Sequence, residues 1–359
     1  MMKRLGAVLI AVFLMLGGLT VPAKADKLKT MEELLEYLYY DCACVMDDKY
    51  TFSYGEELDE VFATKDAMNA ILKNCGLYTW SNKTDTEKRK VQISKIVYRT
   101  GFRIARAWQM EQTATLSDEE RETLEIALQM VEDAQRYAQS PYDLLVRLHD
   151  SLCEWTVYQL KDENAEGMAA QDNAVGALKY RGAECDGYTD AFYLLGTLAG
   201  FQVGYQAGGT DGELKGHIWN VVFWNGMWYH ADLTWDDQDL EERPDMVTYK
   251  CFMVGGDMLQ NHGWLPEYSP HDLAEQNDWS CFYYTADETG LTHGAYLSTV
   301  QDAANYVSHH IRNGYTRAHA MVDGQHEGKV LSDLISAEGT WSIKTTHIGS
   351  YTLFDMLIK

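Results

Sequence analysis

The sequence has few positive charges for its length. Lysine and arginine number 30 against 54 aspartate and glutamate residues, which gives a formal net charge of −24. A chain this acidic is repelled by phosphate backbones and by anionic lipid surfaces. We therefore expect no nucleic-acid partner, and we interpret most of the acidic residues as a solvated surface.

Long apolar runs are missing after the first 25 residues. Those 25 residues combine Lys3 and Arg4, an apolar stretch at 5–19, and the small-residue pattern Ala-Lys-Ala at 23–25. This order is typical of a cleaved secretory signal. No later segment approaches the roughly 18 apolar residues that a membrane-spanning helix needs. The sequence thus predicts a secreted or extracellular protein without a transmembrane segment once the signal is cleaved.

Metal-binding spacings are missing as well. The chain has seven cysteines, and Cys42 and Cys44 are separated by one residue rather than the two to four of a zinc site. No calcium loop of the EF-hand type occurs. We expect no metal and no cofactor. Because seven is odd, at least one thiol stays unpaired in an oxidising compartment, and zero to three disulfides are expected.

The two ends of the chain show the same order of elements, each with a threonine before its first helix. The first end has a helical pattern at 28–46, a strand at 50–54, a helix at 65–74 and β-rich stretches at 77–80 and 91–107. The last has a helix at 300–312, a strand at 316–322, a helix at 328–336 and strands at 341–346 and 350–358. This order predicts two copies of a small α/β unit.

Two scaffold helices are expected between these ends. Ser117 and Glu120 have the spacing of a capping box, and Ser140-Pro141 places a cap before a proline at the first helical position. A chain of this length predicts two or three domains. We place an N-terminal α/β unit with a connecting helix at 26–139, a central core at 140–285 and a C-terminal α/β unit at 286–359.

A cysteine stands just before the central helix of this core, in "GAECDGYTDAFYLLGTLAGF" (182–201). Leucines at helical spacing follow it, and Gly200 is placed as the terminator. Cys185 therefore lies at a helix N-terminus, where backbone N–H groups favour a thiolate and can bind an oxyanion.

The neighbours of Cys185 leave its role open. We interpret Gly182 and Gly187 as positions where a substrate backbone can come close. Glu184 and Asp186 oppose ionisation of the thiol unless their side chains point away. On this stretch alone, a structural cysteine is as plausible as a nucleophile.

A hairpin follows in "GHIWNVVFWNGMWYHADLTWDD" (216–237), where Asn-Gly at 225–226 is the strongest short hairpin signal. With those two residues as the loop, Trp219 faces Asp232 and His217 faces Thr234. His217 and Asp232 then share one face of adjacent strands, roughly 7 Å apart.

This face predicts a Cys-His-Asp triad in which Cys185 is the nucleophile, His217 the general base and Asp232 the orienting acid. Alternatively, His217 and Asp232 are ordinary strand residues that satisfy each other. His230 is the rival base, but it lies on the same strand as Asp232. The remaining histidines considered are interpreted as surface or packing residues: His149, His262, His309 and His310.

Three blocks resemble the bacterial transglutaminase-like domain: "GAECDGYTDAFYLLGTLAGFQVGYQAG", "GHIWNVVFWNGMWYHADLTWDD" and "YKCFMVGGDMLQNHGW". Cys185, His217 and Asp232 stand at that family's three catalytic positions. The upstream "LLVRLHDSLCEWTVY" also resembles the family's lead-in helix, so the resemblance covers roughly 140–270. It implies an α+β fold with a papain-like core, in which a nucleophile helix packs on an antiparallel sheet.

The resemblance also implies a reaction. Cys185 attacks a peptide or glutamine amide, and the acyl group passes to an amine or to water. A protein or peptide is the expected substrate, and cell-surface or cell-wall components are further candidate partners. Two alternatives stay open: a plain cysteine peptidase, and a non-catalytic cell-surface module whose hairpin aromatics line a binding groove, namely Trp219, Trp224, Trp228, Tyr229 and Trp235.

Overall fold

The protein is represented by a computed structural model that describes residues 27–38, 46–63, 65–159, 171–210, 213–237, 247–261, 265–266, 281–284 and 294–359. The predicted signal, Cys42, Cys44 and His262 lie outside these residues. The fold is mixed α and β, with four sheets in the described ranges, which agrees with the predicted α+β class. No helix in those ranges has the length and hydrophobicity that crossing a bilayer requires.

The chain divides into two compact units, one up to Tyr98 and one from Arg99 to Lys359. The larger unit includes the long helix that precedes the predicted core. The domain boundaries at 139/140 and 285/286 stay predictions.

The smaller unit is an antiparallel sheet covered by helices. Its elements are α1 (Met31–Glu36), β1 (Lys49–Ser53), a 3-10 turn (Glu56–Leu58), α2 (Asp59–Ala63), α3 (Lys65–Asn74), β2 (Leu77–Asp85) and β3 (Lys90–Tyr98). The strand order is β1-β3-β2, and Leu28 adds a parallel bridge to Tyr54. Thr30 caps α1 by accepting a hydrogen bond from the Glu33 N–H at 3.1 Å, because the first N–H groups of a helix lack intrahelical acceptors.

The larger unit begins with helices and a short parallel pair of strands. These elements are α4 (Thr100–Gln109), a 3-10 turn (Thr113–Thr115), α5 (Asp118–Tyr137), α6 (Pro141–Trp155), β4 (Val157–Tyr158), a π-helical turn (Gly176–Tyr180) and β5 (Gly182–Ala183). Both predicted caps are confirmed. Ser117 and Glu120 exchange capping-box hydrogen bonds, and Ser140 caps α6 before Pro141.

A five-stranded sheet follows, in the order β10-β6-β7-β8-β9. The elements of this part are α7 (Cys185–Leu198), β6 (Val203–Thr210), β7 (Glu213–Trp224), β8 (Met227–Ala231), α8 (Leu233–Asp236), β9 (Phe252–Val254), α9 (Gly256–Asn261), β10 (Leu265–Pro266) and α10 (Cys281–Tyr284). Helix α7 is fastened to β7, the middle strand. The Thr189 hydroxyl donates to the Ile218 carbonyl, and the Asn220 amide donates to the Thr189 carbonyl, both at 3.0 Å.

The C-terminal elements form a four-stranded sheet in the order β11-β12-β14-β13. They are β11 (Ala295–Leu297), α11 (Val300–Arg312), β12 (Arg317–Asp323), α12 (Gly328–Leu334), β13 (Trp341–Ile348) and β14 (Tyr351–Ile358). Strand β11 is parallel to β12, and the other pairs are antiparallel. The bridge at Leu28 followed by β1, β3 and β2 has the same order and the same pair directions. The two ends of the chain therefore share one connectivity.

The two faces of the C-terminal sheet are covered differently. Side chains on one face, including Ala320 and Phe354, belong to an apolar core shared with α11 and α12. On the other face, His319 and Asp355 are buried, and the His319 ring contacts Tyr249 at 4.5 Å between ring centroids. This face is a polar and aromatic seam against the rest of the larger unit.

One predicted element is wrong in part. The β-rich stretch expected at 91–107 ends at Tyr98, and residues 100–109 form α4. In this stretch Phe102, Ala105 and Arg106 are buried. Burial extends around most of the helix, so packing within the larger unit rather than alternation along the chain decides the structure.

Candidate active site

Cys185 is the first residue of α7 and has a partly exposed, free thiol. The predicted helix and its terminator are confirmed, since α7 ends at Leu198 and Gly200 adopts a left-handed φ of +92°. The Gly187 and Tyr188 N–H groups donate hydrogen bonds to the Glu184 carbonyl. The N–H of Cys185 precedes any intrahelical acceptor, which makes it a candidate donor to an oxyanion.

The glycines around Cys185 serve the protein's own packing. A Cβ at Gly187 would lie 2.4 Å from the Gln171 carbonyl oxygen and 2.7 Å from the Ala183 Cβ. A Cβ at Gly182 would lie 2.5 Å from the Gln159 side chain. These contacts explain the two glycines by packing alone, and the expectation that they leave room for a substrate backbone stays a prediction.

The acidic neighbour Asp186 is compensated by a buried cation. Its Oδ1 lies 2.7 Å from Nη1 of Arg99, a side chain that is 4% exposed. One turn further along α7, the Asp190 carboxylate accepts hydrogen bonds from the Gly101 N–H at 2.7 Å and the Tyr205 hydroxyl at 2.9 Å. The Asp186 charge next to Cys185 is therefore balanced by Arg99, and Asp190 is directed into the protein.

His217 lies on β7 and contacts Asp232, which directly follows β8. Its Nε2 is 2.6 Å from Asp232 Oδ2, and the two side chains are 9% and 1% exposed. The imidazole stacks on the Trp219 indole at 5.6 Å between centroids, and the Cys185 side chain is close enough to act on its pKa. Because Asp232 occupies Nε2, Nδ1 is the ring nitrogen available to the sulfur.

The charge state of His217 follows from these contacts. Burial alone lowers the pKa of His217, but the Asp232 carboxylate and the Cys185 side chain outweigh it and raise the pKa to about 10. The imidazole therefore keeps its second proton at neutral pH. A positively charged imidazole near a cysteine is the setting in which thiols become nucleophilic.

The hairpin that carries these residues follows the predicted register in part. Asn225 and Gly226 form the loop with φ of +48° and +88°, and five pairs match the prediction, from Trp224↔Met227 to Asn220↔Ala231. The predicted pairs of Trp219 with Asp232 and of His217 with Thr234 are not part of the ladder, because α8 begins at Leu233.

Residue 232 leaves the ladder because its backbone bonds elsewhere. The Asp232 N–H donates to the Cys251 carbonyl at 3.0 Å, while His217 pairs with Gly208 of β6. The side chains of His217 and Asp232 still meet, as the face argument predicts.

The rival base His230 has a different environment. Its Nδ1 accepts a hydrogen bond from the Trp219 indole at 2.9 Å, and the side chain is fully buried. Burial lowers the pKa of His230 to about 3, so this ring is neutral and serves as an acceptor inside the sheet. Among the other histidines, His149 is buried between two aspartates, and His309 and His310 lie on α11.

Several residues near the three side chains were missed from the sequence. The Tyr188 hydroxyl hydrogen-bonds the Asp237 carboxylate and donates to the Thr156 carbonyl at 3.1 Å, which ties α7 to the end of α8. Tyr158 on β4 is 44% exposed, and its pKa is raised by partial burial and by the nearby Cys185 and Glu184 side chains. Tyr188 and Asp237 both stand in the sequence blocks quoted above, in Gly-Tyr at 187–188 and Asp-Asp at 236–237. Their spacing alone does not predict that the two side chains meet.

The hairpin aromatics belong mostly to the interior. Trp219 and Tyr229 are buried, and Trp224 packs on Tyr142 at 5.2 Å. Trp235 is 38% exposed and lies under the Lys250 ammonium group. Within the described ranges, no group of three or more His, Cys, Asp or Glu side chains is arranged to hold a metal ion.

Comparisons with known proteins add little to this geometry. No protein-family model matches the chain, and a search of curated proteins gives no match. One solved structure, described as "Crystal structure of a TGase", is 14% identical with a TM-score of 0.29. The alignment covers 52% of this chain and 50% of that chain, about half of its length. A similarity this low carries no argument about fold or reaction.

Proposed function

We propose that the chain is a secreted cysteine enzyme of transglutaminase type. In this proposal α7 and the five-stranded sheet form a papain-like core, and Cys185, His217 and Asp232 are the catalytic residues. The observation that carries the proposal is the 2.6 Å contact between the His217 imidazole and the Asp232 carboxylate, with the Cys185 side chain close enough to act on the same ring. A free, partly exposed thiol at a helix N-terminus supports the same assignment.

The proposed reaction begins with attack of the Cys185 sulfur on an amide carbonyl carbon. A C–S bond forms, and the oxyanion is received by the Cys185 N–H. The C–N bond then breaks, while the His217 imidazolium gives its proton to the departing nitrogen. A primary amine or water next attacks the thioester, His217 removes its proton, and Cys185 leaves as thiolate.

The test uses a glutamine peptide and a biotinylated primary amine under reducing, metal-free conditions. We expect the wild-type chain to incorporate the amine and Cys185→Ala to be inactive. New peptide termini in place of amine incorporation would assign the chain as a cysteine peptidase. Identical products from the wild type and Cys185→Ala would contradict the enzyme proposal and favour a non-catalytic binding module.

We also propose export, with proteins or peptides outside the cell as substrates. The support is the order of charged, apolar and small residues at positions 1–25. N-terminal analysis of the protein from culture medium tests this, and we expect it to begin after Ala25. Retention of the full chain inside cells would contradict the proposal.

A further inference from the structure

The backbone of Asp232 is held by a closed ring of hydrogen bonds. The Asp232 N–H donates to the Cys251 carbonyl at 3.0 Å, and the Asp236 N–H donates to the Asp232 carbonyl at 3.2 Å. The Asp236 carboxylate closes the ring, because its Oδ1 accepts from the Cys251 N–H at 3.0 Å and from the Thr248 hydroxyl at 3.2 Å. Asp236 therefore holds the backbone of Cys251, and Cys251 holds the backbone of Asp232.

Asp236 is held by a histidine from another element. His149 on α6 is fully buried, and its Nε2 forms an ion pair with Asp236 Oδ2 at 3.4 Å. Its Nδ1 lies 3.0 Å from Asp150 Oδ1. Burial lowers the pKa of His149, but the two carboxylates outweigh burial and raise the pKa. The His149 ring is thus held between two aspartates.

The contacts continue to the C-terminal sheet. Asp150 Oδ2 lies 3.6 Å from Nη1 of Arg317, the first residue of β12, and Arg317 also pairs with Glu154. The Tyr249 hydroxyl donates to Asp150 Oδ1 at 2.6 Å. A continuous series of polar contacts thus joins β12 to the backbone of Asp232.

We propose that Asp236, His149, Asp150 and Arg317, the Asp236 network, are positioning residues that hold Asp232 in line with His217. The proposal rests on the proposed function above. It gives the C-terminal sheet a role in the reaction without contact to the substrate.

The physical argument is that such a network supplies geometry more than stability. Burying His149 and Asp236 together is expensive, and apolar side chains of similar volume are often as stable. A displacement of about 1 Å in a catalytic group can lower a rate by about 100-fold. The ring around Cys251 acts on the backbone of Asp232 itself, so loosening it displaces the carboxylate that orients His217.

The experiment compares three variants of the full chain with the wild type: His149→Gln, Asp236→Asn and Arg317→Gln. The matched control is Lys329→Gln, an exposed residue of the same C-terminal unit whose ammonium group pairs with Asp333 at 2.9 Å. For each protein we would measure kcat and KM for amine incorporation, the rate of Cys185 alkylation by iodoacetamide at neutral pH, and the circular dichroism spectrum.

We expect His149→Gln and Asp236→Asn to lower kcat roughly 10- to 100-fold with KM unchanged, and to slow alkylation of Cys185. Arg317→Gln changes both in the same direction by a smaller factor, and Lys329→Gln matches the wild type. Folded His149→Gln and Asp236→Asn proteins with wild-type kcat and alkylation rates would overturn the proposal.

Two further outcomes are separable. If His149→Gln and Asp236→Asn do not fold, Arg317→Gln decides, since its side chain is partly exposed; wild-type values in that variant overturn the proposal. A wild-type chain without turnover, whose Cys185 reacts no faster than in His217→Gln, contradicts the proposed function itself, and the network then has no catalytic residue to hold.

Discussion

At the scale of single residues, one contact with a charged group separates two histidines of the site. His217 and His230 lie in the same hairpin and are both largely buried, yet their pKa values move in opposite directions. The difference is Asp232, which bonds His217 at 2.6 Å, whereas the direct partner of His230 is an indole N–H. One carboxylate therefore decides which histidine carries a charge.

The pKa of His217 predicts a pH-dependent contribution to stability. The folded-state pKa of about 10 lies above the unfolded value of about 6.5. The contribution is therefore complete below about pH 6.5 and is lost as the pH rises toward 10. Thermal unfolding of the wild type and His217→Gln between pH 6 and 10 checks this. We expect the difference in unfolding temperature between the wild type and His217→Gln to shrink with rising pH. A difference that stays constant would contradict the raised pKa of His217.

Tyr158 predicts an effect on substrate binding, because its ring is partly exposed and near enough to Cys185 for the two side chains to interact electrostatically. Removing an aromatic ring from a binding surface costs about 1–2 kcal/mol, which corresponds to roughly a tenfold change in affinity. We expect Tyr158→Ala to raise KM for the glutamine peptide by about that factor with kcat nearly unchanged. Tyr158→Phe is the control and keeps the wild-type KM. Equal KM values in all three proteins would show that the ring does not contact the substrate.

The sequence was sufficient to propose Cys185, His217 and Asp232 as candidates and to predict that the last two side chains meet. Each of the three stands in a local pattern: a helix start, an alternating strand and a hairpin partner. It could not supply Arg99 or His149. Arg99 contacts Asp186, which lies 87 positions further along the chain. His149 contacts Asp236, which lies on a different helix. Such pairs depend on how elements pack, which periodicity does not encode.

At the scale of elements, local signals predicted starts and loops better than strand ends. Thr30, Ser117, Ser140 and Thr299 are all caps of the helices that follow them, and capping depends on nearby backbone groups alone. The end of β8 depends instead on the Cys251 carbonyl, 19 residues beyond Asp232. The hairpin rule therefore extended the ladder too far.

The start of α7 predicts a steric requirement at Gly187. A methyl group there would meet the Gln171 carbonyl at 2.4 Å, so the first turn carrying Cys185 has to shift. We expect Gly187→Ala to lower the free energy of unfolding by about 1–3 kcal/mol and to slow alkylation of Cys185. Gly216→Ala, next to His217, is the matched control, because its Cβ would meet nothing within 4 Å. Similar stability in both variants would contradict the packing argument.

At the scale of the whole molecule, the same sheet connectivity occurs at both ends of the chain. The order of helices and strands in the sequence was enough to suggest two similar units. It did not indicate that one face of the C-terminal sheet would be buried, because His319 and Asp355 read as polar strand residues. Burial of that pair becomes possible only where the two groups meet each other, at 2.9 Å, and where aromatic rings cover them.

This seam predicts that the rest of the larger unit needs the C-terminal sheet to stay soluble. Removing residues 294–359 would uncover the Tyr249 and Phe282 rings that now contact His319, and exposed apolar patches of this kind promote aggregation. We expect the shortened chain to be poorly soluble or to bind a hydrophobic dye, while full-length Lys329→Gln behaves like the wild type. A soluble, dye-negative and fully active shortened chain would contradict this reading.

The central claim is that His217, oriented by Asp232, makes the Cys185 sulfur reactive. Its most direct test needs no substrate: the rate of Cys185 alkylation by iodoacetamide at neutral pH, followed by mass spectrometry of the peptide that contains it. We predict that His217→Gln reacts much more slowly than the folded wild type, with Asp232→Asn between them. Equal rates in all three folded proteins would contradict the account.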